Sequence, residues 1–282
     1  MTTTVTVLAF LVAAAAAVRS TWSPCGLSML STITPFAERA KGHRYGATCS
    51  WFVVGATVGG LALGGVVAGL AAVVRAAGPG AVAVGTVGLV AALVVLVSDT
   101  GLARLRLPVH YRQVNERWLD AYRPWVYGAG FGFQIGTGVA TYITTGAVYL
   151  MVVLGALTGD PVTALVLGAA FGLVRGLAVA LTRRIATPSG LLAFHQRFAA
   201  LRPWADRLVL ASVVVTAVTC AVGAGGRPAA VATVSVPVAT LGARGADRLL
   251  RGRPTAPSTT TPVGSATPDG TPPARDRSVA VG

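Results

Sequence analysis

Charged residues make up only 11% of the 282-residue chain, while 54% of it is hydrophobic. Ordinary soluble domains carry about 25% charged residues, so this chain lacks the groups that keep a surface wet. A water-soluble enzyme and a disordered protein are both excluded on composition. Lysine occurs once, as Lys41, and acidic residues nine times, so the net charge of +14 rests almost wholly on arginine. Those arginines sit between long apolar runs, as membrane proteins place them against anionic lipid, and no nucleic-acid partner is expected. Three cysteines, Cys25, Cys49 and Cys220, are too few for a disulfide framework. No phosphate-binding glycine loop, nucleophile elbow or dinucleotide fingerprint occurs, and no Cys/His spacing resembles a metal site, so neither cofactor nor metal is expected.

What remains is apolar length. Crossing about 30 Å of hydrocarbon takes about 20 residues of helix, and six runs qualify: 3–36 with a break, 47–74, 81–97, 128–157, 161–181 and 208–222. The expected fold is an all-α membrane protein. A seventh apolar stretch, 229–243, is short and contains Pro237, which makes it either a marginal span or an interfacial segment. The chain therefore divides into a membrane half at 1–98, a basic loop at 99–127, and a second half at 128–225. The short segment 226–243 and a Pro/Thr/Ser/Gly-rich tail, 244–282, follow; the tail has too few large apolar residues to offset its ordering entropy.

Loop charge sets orientation. Arg39, Lys41 and Arg44 follow the first span, Arg104 to Arg123 follow the third, and Arg183 to Arg207 follow the fifth, while the alternate connections are nearly bare. By the positive-inside rule these basic loops are cytoplasmic and the N-terminus lies outside, as expected of a multi-pass protein of the cell (plasma) membrane. Tyr45, Trp51, Trp125, Tyr127 and Trp204 gather near the same ends, as interfacial anchors do. Residues 1–18 lack the positive n-region of a cleaved signal peptide and read as part of a span.

Three spans, a basic loop and three more spans predict a 3+3 inverted repeat, the second half entering from the opposite face. The segment 24–32 can be laid over 136–144, pairing Cys25 with Thr137 and Gly26 with Gly138. The second span of each half carries glycines four apart, Gly60 and Gly64 in one, Gly168 and Gly172 in the other, a spacing that lets helix backbones approach closely.

The most informative stretch is Trp22-Ser-Pro-Cys-Gly, followed by four hydroxyl residues before Pro35. Pro24 and Pro35 are expected to break the first helix, because each removes an amide donor, and broken helices in membranes persist where protein or a wet cavity satisfies the freed carbonyls. The matching place in the second half is glycine-rich: Gly136, Thr137 and Gly138 end a run with four Gly in nine residues. With its Ser-Pro-Cys motif in the first span, glycine-rich following spans and basic loops, the chain resembles the DsbD/CcdA transmembrane thiol–disulfide electron carriers of cytochrome c biogenesis. The resemblance covers residues 1–225. It implies that Cys25 is a redox cysteine and that a thioredoxin-like protein is a partner besides the lipid bilayer. In that family the second redox cysteine lies in the fourth span, where this chain has Thr137. Depth in the membrane leaves Cys49 as a sulfur that could pair with Cys25 and places Cys220 at the opposite face.

Arg175 lies inside the fifth span, where an isolated guanidinium costs about 2.5–3.5 kcal/mol to insert, and Asp99 is its nearest expected counter-ion by depth. Arg19 is a second such charge. His43, His110 and His195 fall in basic loops and are expected to be solvated. Two functions fit: a carrier of reducing equivalents through Cys25 and Cys49, or a small-solute or anion exporter on a related inverted-repeat scaffold, with Arg175 and the helix breaks forming the site.

Overall fold

A computed structural model of the chain describes residues 2–100, 123–138 and 145–225, which belong to one compact unit. The expectations for the arginine-rich stretch around His110, for the segment 226–243 and for the tail 244–282 lie outside the described residues. All regular structure among those described is helical: α1 (Thr2–Ser20), α2 (Pro24–Thr32), α3 (Pro35–Ala40), α4 (Tyr45–Ala77), α5 (Ala81–Thr100), α6 (Pro124–Gly136), α7 (Ala147–Leu157), α8 (Pro161–Leu177), a 3-10 turn (Ala178–Arg184) and α9 (Pro188–Gly223). Five helical stretches are long and apolar enough to cross a membrane: Thr2–Ser20, Tyr45–Ala77, Ala81–Thr100, Pro161–Arg184 and Pro188–Gly223. The protein is an all-α, multi-pass membrane protein.

Two expected spans have a different local form. The described residues of the run 128–157 belong to two helices, α6 and α7, about 20 Å and about 16 Å long by their residue counts. Neither crosses a bilayer alone. In the first span, α1 runs unbroken to Ser20, and the interruption falls at 21–23, just ahead of the cysteine. The basic stretch before residue 208 is also not a loop: α9 starts at Pro188, where the Thr187 hydroxyl accepts from the Gly190 amide. A search for uninterrupted apolar runs finds only the lipid-facing half of such a helix.

Pro24 and Pro35 start helices rather than kink one. Each occupies the first turn, where an amide would have no intrahelical partner. The hydroxyls of Ser23 and Thr34 accept from the amides of Gly26 and Ala37, satisfying donors that a helix start leaves open. Pro161 and Pro188 repeat the device, with Asp160 and Thr187 as caps. At Asp160 the Thr163 hydroxyl, joined by the local amides, holds the carboxyl below the usual carboxylate range.

The centre of the bundle is α4, which contacts two helices backbone to backbone. On one face, an ideal Cβ added at Gly60 would lie 2.8 Å from the Gly172 Cα, one at Gly64 3.0 Å from the Ala164 carbonyl oxygen, and one at Gly168 2.5 Å from the Gly64 Cα. On another face, Gly55 would come within 2.8 Å of the Ala129 Cα, and Gly136 within 2.8 Å of the Ala56 Cα. Real side chains do not fit at these separations, so α4–α8 and α4–α6 exist as packed because glycine occupies both sides. In lipid, where helices gain little from hydrophobic burial against one another, such approach supplies the dispersion contacts that drive association. The remaining face of α4 carries Val54, Val58, Leu61, Val66 and Val73, all exposed, as a surface covered by acyl chains should be. α1 packs its alanine run, Ala13 to Ala17, against α7, α8 and α9, and α5 pairs with α9 across Gly85 and Gly88, against which Cys220 sits.

Gly168→Ala should destabilise the detergent-solubilised protein by about 1–3 kcal/mol, the usual cost of overpacking. Gly69→Ala, on the open face of α4 with nothing within 4 Å, should be neutral or gain up to about 1 kcal/mol of helix propensity. Thermal or denaturant unfolding of the two variants side by side measures the contrast.

Candidate functional site

Two buried polar residues stand at the interruptions, Cys25 just after the one that follows α1 and Arg175 beside the one that follows α6. Cys25 is the second residue of α2 and is 3% exposed. It belongs to a core of Met29, Leu30 and Ile33 from its own helix, Phe52 from α4, Phe131 and Ile135 from α6, and Phe198 from α9. Cys49, in the first turns of α4, packs at the edge of that core and is partly buried. Cys220 belongs to the other large core. All three thiols are free.

Arg175 reaches the same place from the last turn of α8 and is 3% exposed. Its Nη1 donates to the backbone carbonyl of Ile135 in α6, and its guanidinium stands 5.6 Å from the centre of the Phe171 ring. The Cys25 thiol lies within electrostatic reach of it. Gly138, in the left-handed conformation at φ +68°, closes α6 beside the guanidinium: a Cβ there would sit 3.6 Å from Nη1 and 2.7 Å from the Phe171 ring. Glycine therefore meets two demands at this position, the backbone turn and the room for Arg175. Thr137 precedes it, its hydroxyl donating to the Gln134 carbonyl at 2.8 Å. Arg175 thus lies against the 136–138 break, through the Ile135 carbonyl and beside Gly138.

Asp99 is not the counter-ion of Arg175. Its carboxylate accepts from the Thr145 hydroxyl at 2.6 Å and from the Gly146 amide at 2.8 Å, which caps the start of α7, and its charged neighbours are Arg19 and Asp206. Arg19 itself forms an ion pair with Asp206 of α9. Depth along a span orders residues along the membrane normal only. Which helix faces which decides the partner, and α5 faces α7 and α9. Among the described residues no carboxylate forms an ion pair with Arg175.

Helix α2 is held in place by α9 and the 3-10 turn. The Trp22 indole donates to the Phe198 carbonyl at 2.8 Å and stacks on the Phe198 ring, with centroids 4.2 Å apart. Ser31 Oγ lies 3.1 Å from His195 Nε2, so His195 is a contact between helices and not a solvated loop residue. The Thr182 hydroxyl donates to the Ile33 carbonyl at 2.8 Å, where α2 has ended. His43 also faces inward, toward Glu38. Glu38 is fully buried, and nothing in its sequence context marks it: it sits in a basic stretch that reads as loop. The signal available beforehand was the Thr34-Pro35 start, which makes Glu38 the fourth residue of a helix rather than part of a linker.

Comparison with known proteins then places the chain. It is 30% identical over 219 residues to the methylamine utilization protein MauF of Paracoccus denitrificans, an overlap that spans 71% of this chain and 73% of that protein. The chain belongs to the MauF family. The methylamine utilization protein MauF of Paracoccus versutus is 31% identical over 176 residues, 60% of this chain and 62% of its own length. No protein-family model and no solved structure matches.

Trp22→Phe keeps the stack on Phe198 but removes the indole donor, and should cost about 1 kcal/mol; Trp22→Ala should cost at least twice that, since the buried ring is lost as well. Denaturant titration of the solubilised protein distinguishes the two.

Proposed function

We propose that this MauF-family membrane protein carries reducing equivalents between thiol partners in support of methylamine utilisation, with Cys25 as the exchanging sulfur. The observation that carries the reading is that Cys25, in the first turn of a capped helix, and Arg175, beside the end of α6, are both buried at helix interruptions. In exchange, the Cys25 thiolate attacks one sulfur of a partner's disulfide; a new S–S bond joins the two proteins, and the partner's second sulfur leaves as a thiolate. A dithiol of a thioredoxin-like protein resolves that mixed disulfide and is itself oxidised, so one disulfide is exchanged for another with electrons balanced. Arg175 is the buried cation of the same region. Cys49, at the edge of the same core, is the sulfur we assign as the second stop for reducing equivalents. The basic loops face the cytoplasm in this reading, and the two halves form an inverted repeat whose breaks, at 21–23 and 137–138, lie side by side.

A second reading has one observation in its favour. Arg175 is a buried cation without a carboxylate among the described residues, which suits transit of a small anion past the two breaks.

Trapping in isolated membranes separates the two. A thioredoxin variant lacking its resolving cysteine should form a mixed disulfide with the wild-type protein but not with Cys25→Ser, and Arg175→Gln should slow its formation by about tenfold, the equivalent of about 1.4 kcal/mol. If Cys25 never traps a partner and oxidation never protects it from alkylation, the anion reading takes its place. Under mild oxidant Thr137→Cys should form a disulfide with Cys25, since the repeat brings positions 25 and 137 together; absence of that bond removes the repeat.

A further inference from the structure

We propose that the first half of α9 is a hinged cover over the Cys25 core, turning at Pro203, and that the thiol reacts only while this arm is swung away. The inference deepens the thiol reading and rests on it for its purpose, but its test reads access to the sulfur alone. Cys25 is 3% exposed and enclosed by apolar side chains, whereas exchange requires a partner's disulfide to reach the sulfur. A sulfur so enclosed has to be uncovered before a partner can touch it.

The two halves of α9 are held very differently. After Pro203, Ala205, Val209, Val213, Ala217 and Ala221 are buried at helical spacing, and Asp206 pairs with Arg19 of α1. Residues 204–223 measure about 30 Å along the axis, enough to cross the hydrocarbon without help from the rest of the helix. Before Pro203, Phe198 is the one buried residue of the arm 188–202. A segment with so few buried contacts opens at a lower free energy than one with many. Pro203 stands at the boundary. It has no amide to donate to the carbonyl of residue 199, and its ring crowds that carbonyl, so the helix bends most readily there. The Arg202–Asp206 pair spans the boundary at 4.0 Å with both side chains exposed, and such a pair opposes bending little.

The contacts that close the arm converge on the Cys25 segment. Phe198 belongs to the same core as Cys25, and its ring is stacked on Trp22 on one side and Phe194 on the other, at 4.2 Å and 5.5 Å between centroids. The Trp22 indole donates to the Phe198 carbonyl, and Ser31 meets His195. Phe194, His195 and Phe198 all lie on the arm, while Trp22 and Ser31 flank Cys25 in sequence. Swinging the arm outward therefore withdraws Phe198 from the core and releases the chain on both sides of Cys25. The opposite walls, Phe52 and Phe131, belong to α4 and α6, which direct backbone contact at Gly55, Gly132 and Gly136 holds together. The arm is the wall that can move.

Maleimide labelling of the full-length, reduced, detergent-solubilised protein tests this. In a Cys49→Ser background it reads Cys25 together with Cys220, which lies in the other core and serves as the internal control. Trp22→Phe removes the indole donor and should speed labelling of Cys25 about fivefold, the effect of one lost hydrogen bond. Pro203 is exposed, so Pro203→Ala restores an amide at the hinge without touching the core, and it should slow labelling of Cys25 by about threefold or more. Labelling of Cys220 should stay at its starting rate in both. A Pro203→Ala protein whose Cys25 labels at the starting rate, a Cys25 that labels in none of these proteins, or Cys25 and Cys220 rates that rise together in Trp22→Phe would overturn the proposal. Pro203→Ala decides the matter even if Trp22→Phe does not fold. Failure of the hinge leaves the thiol reading to the trapping experiment, and a Cys25 that labels through the hinge yet traps no thioredoxin keeps the cover and removes the exchange.

Discussion

Direct backbone contact between α4 and its two neighbours is the constraint from which the remaining architecture follows. Gly60, Gly64, Gly168 and Gly172 seat α8 against one face, and Gly55, Gly132 and Gly136 seat α6 against another. Because α6 and α8 are both drawn in to van der Waals range of one helix, the end of α6 and the last turn of α8 are forced together. Arg175 can then reach the Ile135 carbonyl, and Gly138 must be small and left-handed to leave it room. A side chain at any of these glycines would push a helix outward and separate the groups that surround Cys25.

Within that frame, helix starts rather than kinks organise the polar chemistry. Four times a capping side chain followed by proline opens a helix: Ser23-Pro24, Thr34-Pro35, Asp160-Pro161 and Thr187-Pro188. The first places Cys25 in the first turn of α2. The second sets α3 at an angle that buries Glu38. Short capped helices in a membrane protein thus position side chains that a continuous span would have carried to a lipid-facing or solvent-facing surface.

The buried charges show how tertiary contacts redistribute residues that look equivalent along the chain. Arg19 and Arg175 both read as isolated cations in apolar helices, yet Arg19 has Asp206 as its ion-pair partner, whereas Arg175 rests on a carbonyl and an aromatic ring. The first arrangement joins helices. The second leaves a cation whose charge is available to a sulfur anion, which is why the proposed chemistry centres on it.

Several features were legible from residue order alone: the helical membrane class, the apolar segments, the close-packing potential of glycines four apart, and the singular character of the Trp22–Cys25 stretch. They are legible because each depends on local composition or on helical period, and both survive in one dimension. The partners of Arg175 and Asp99, the inward turn of His195 and His43, and the burial of Glu38 were not legible. A basic stretch near a predicted membrane end reads as loop whether its acid is buried or solvated. Only the angle at which α3 meets α4 and α6, and the glycine faces that bring α6 and α8 to the same helix, decided which polar groups would face each other, since contacts between residues far apart in sequence depend on packing that no local pattern encodes.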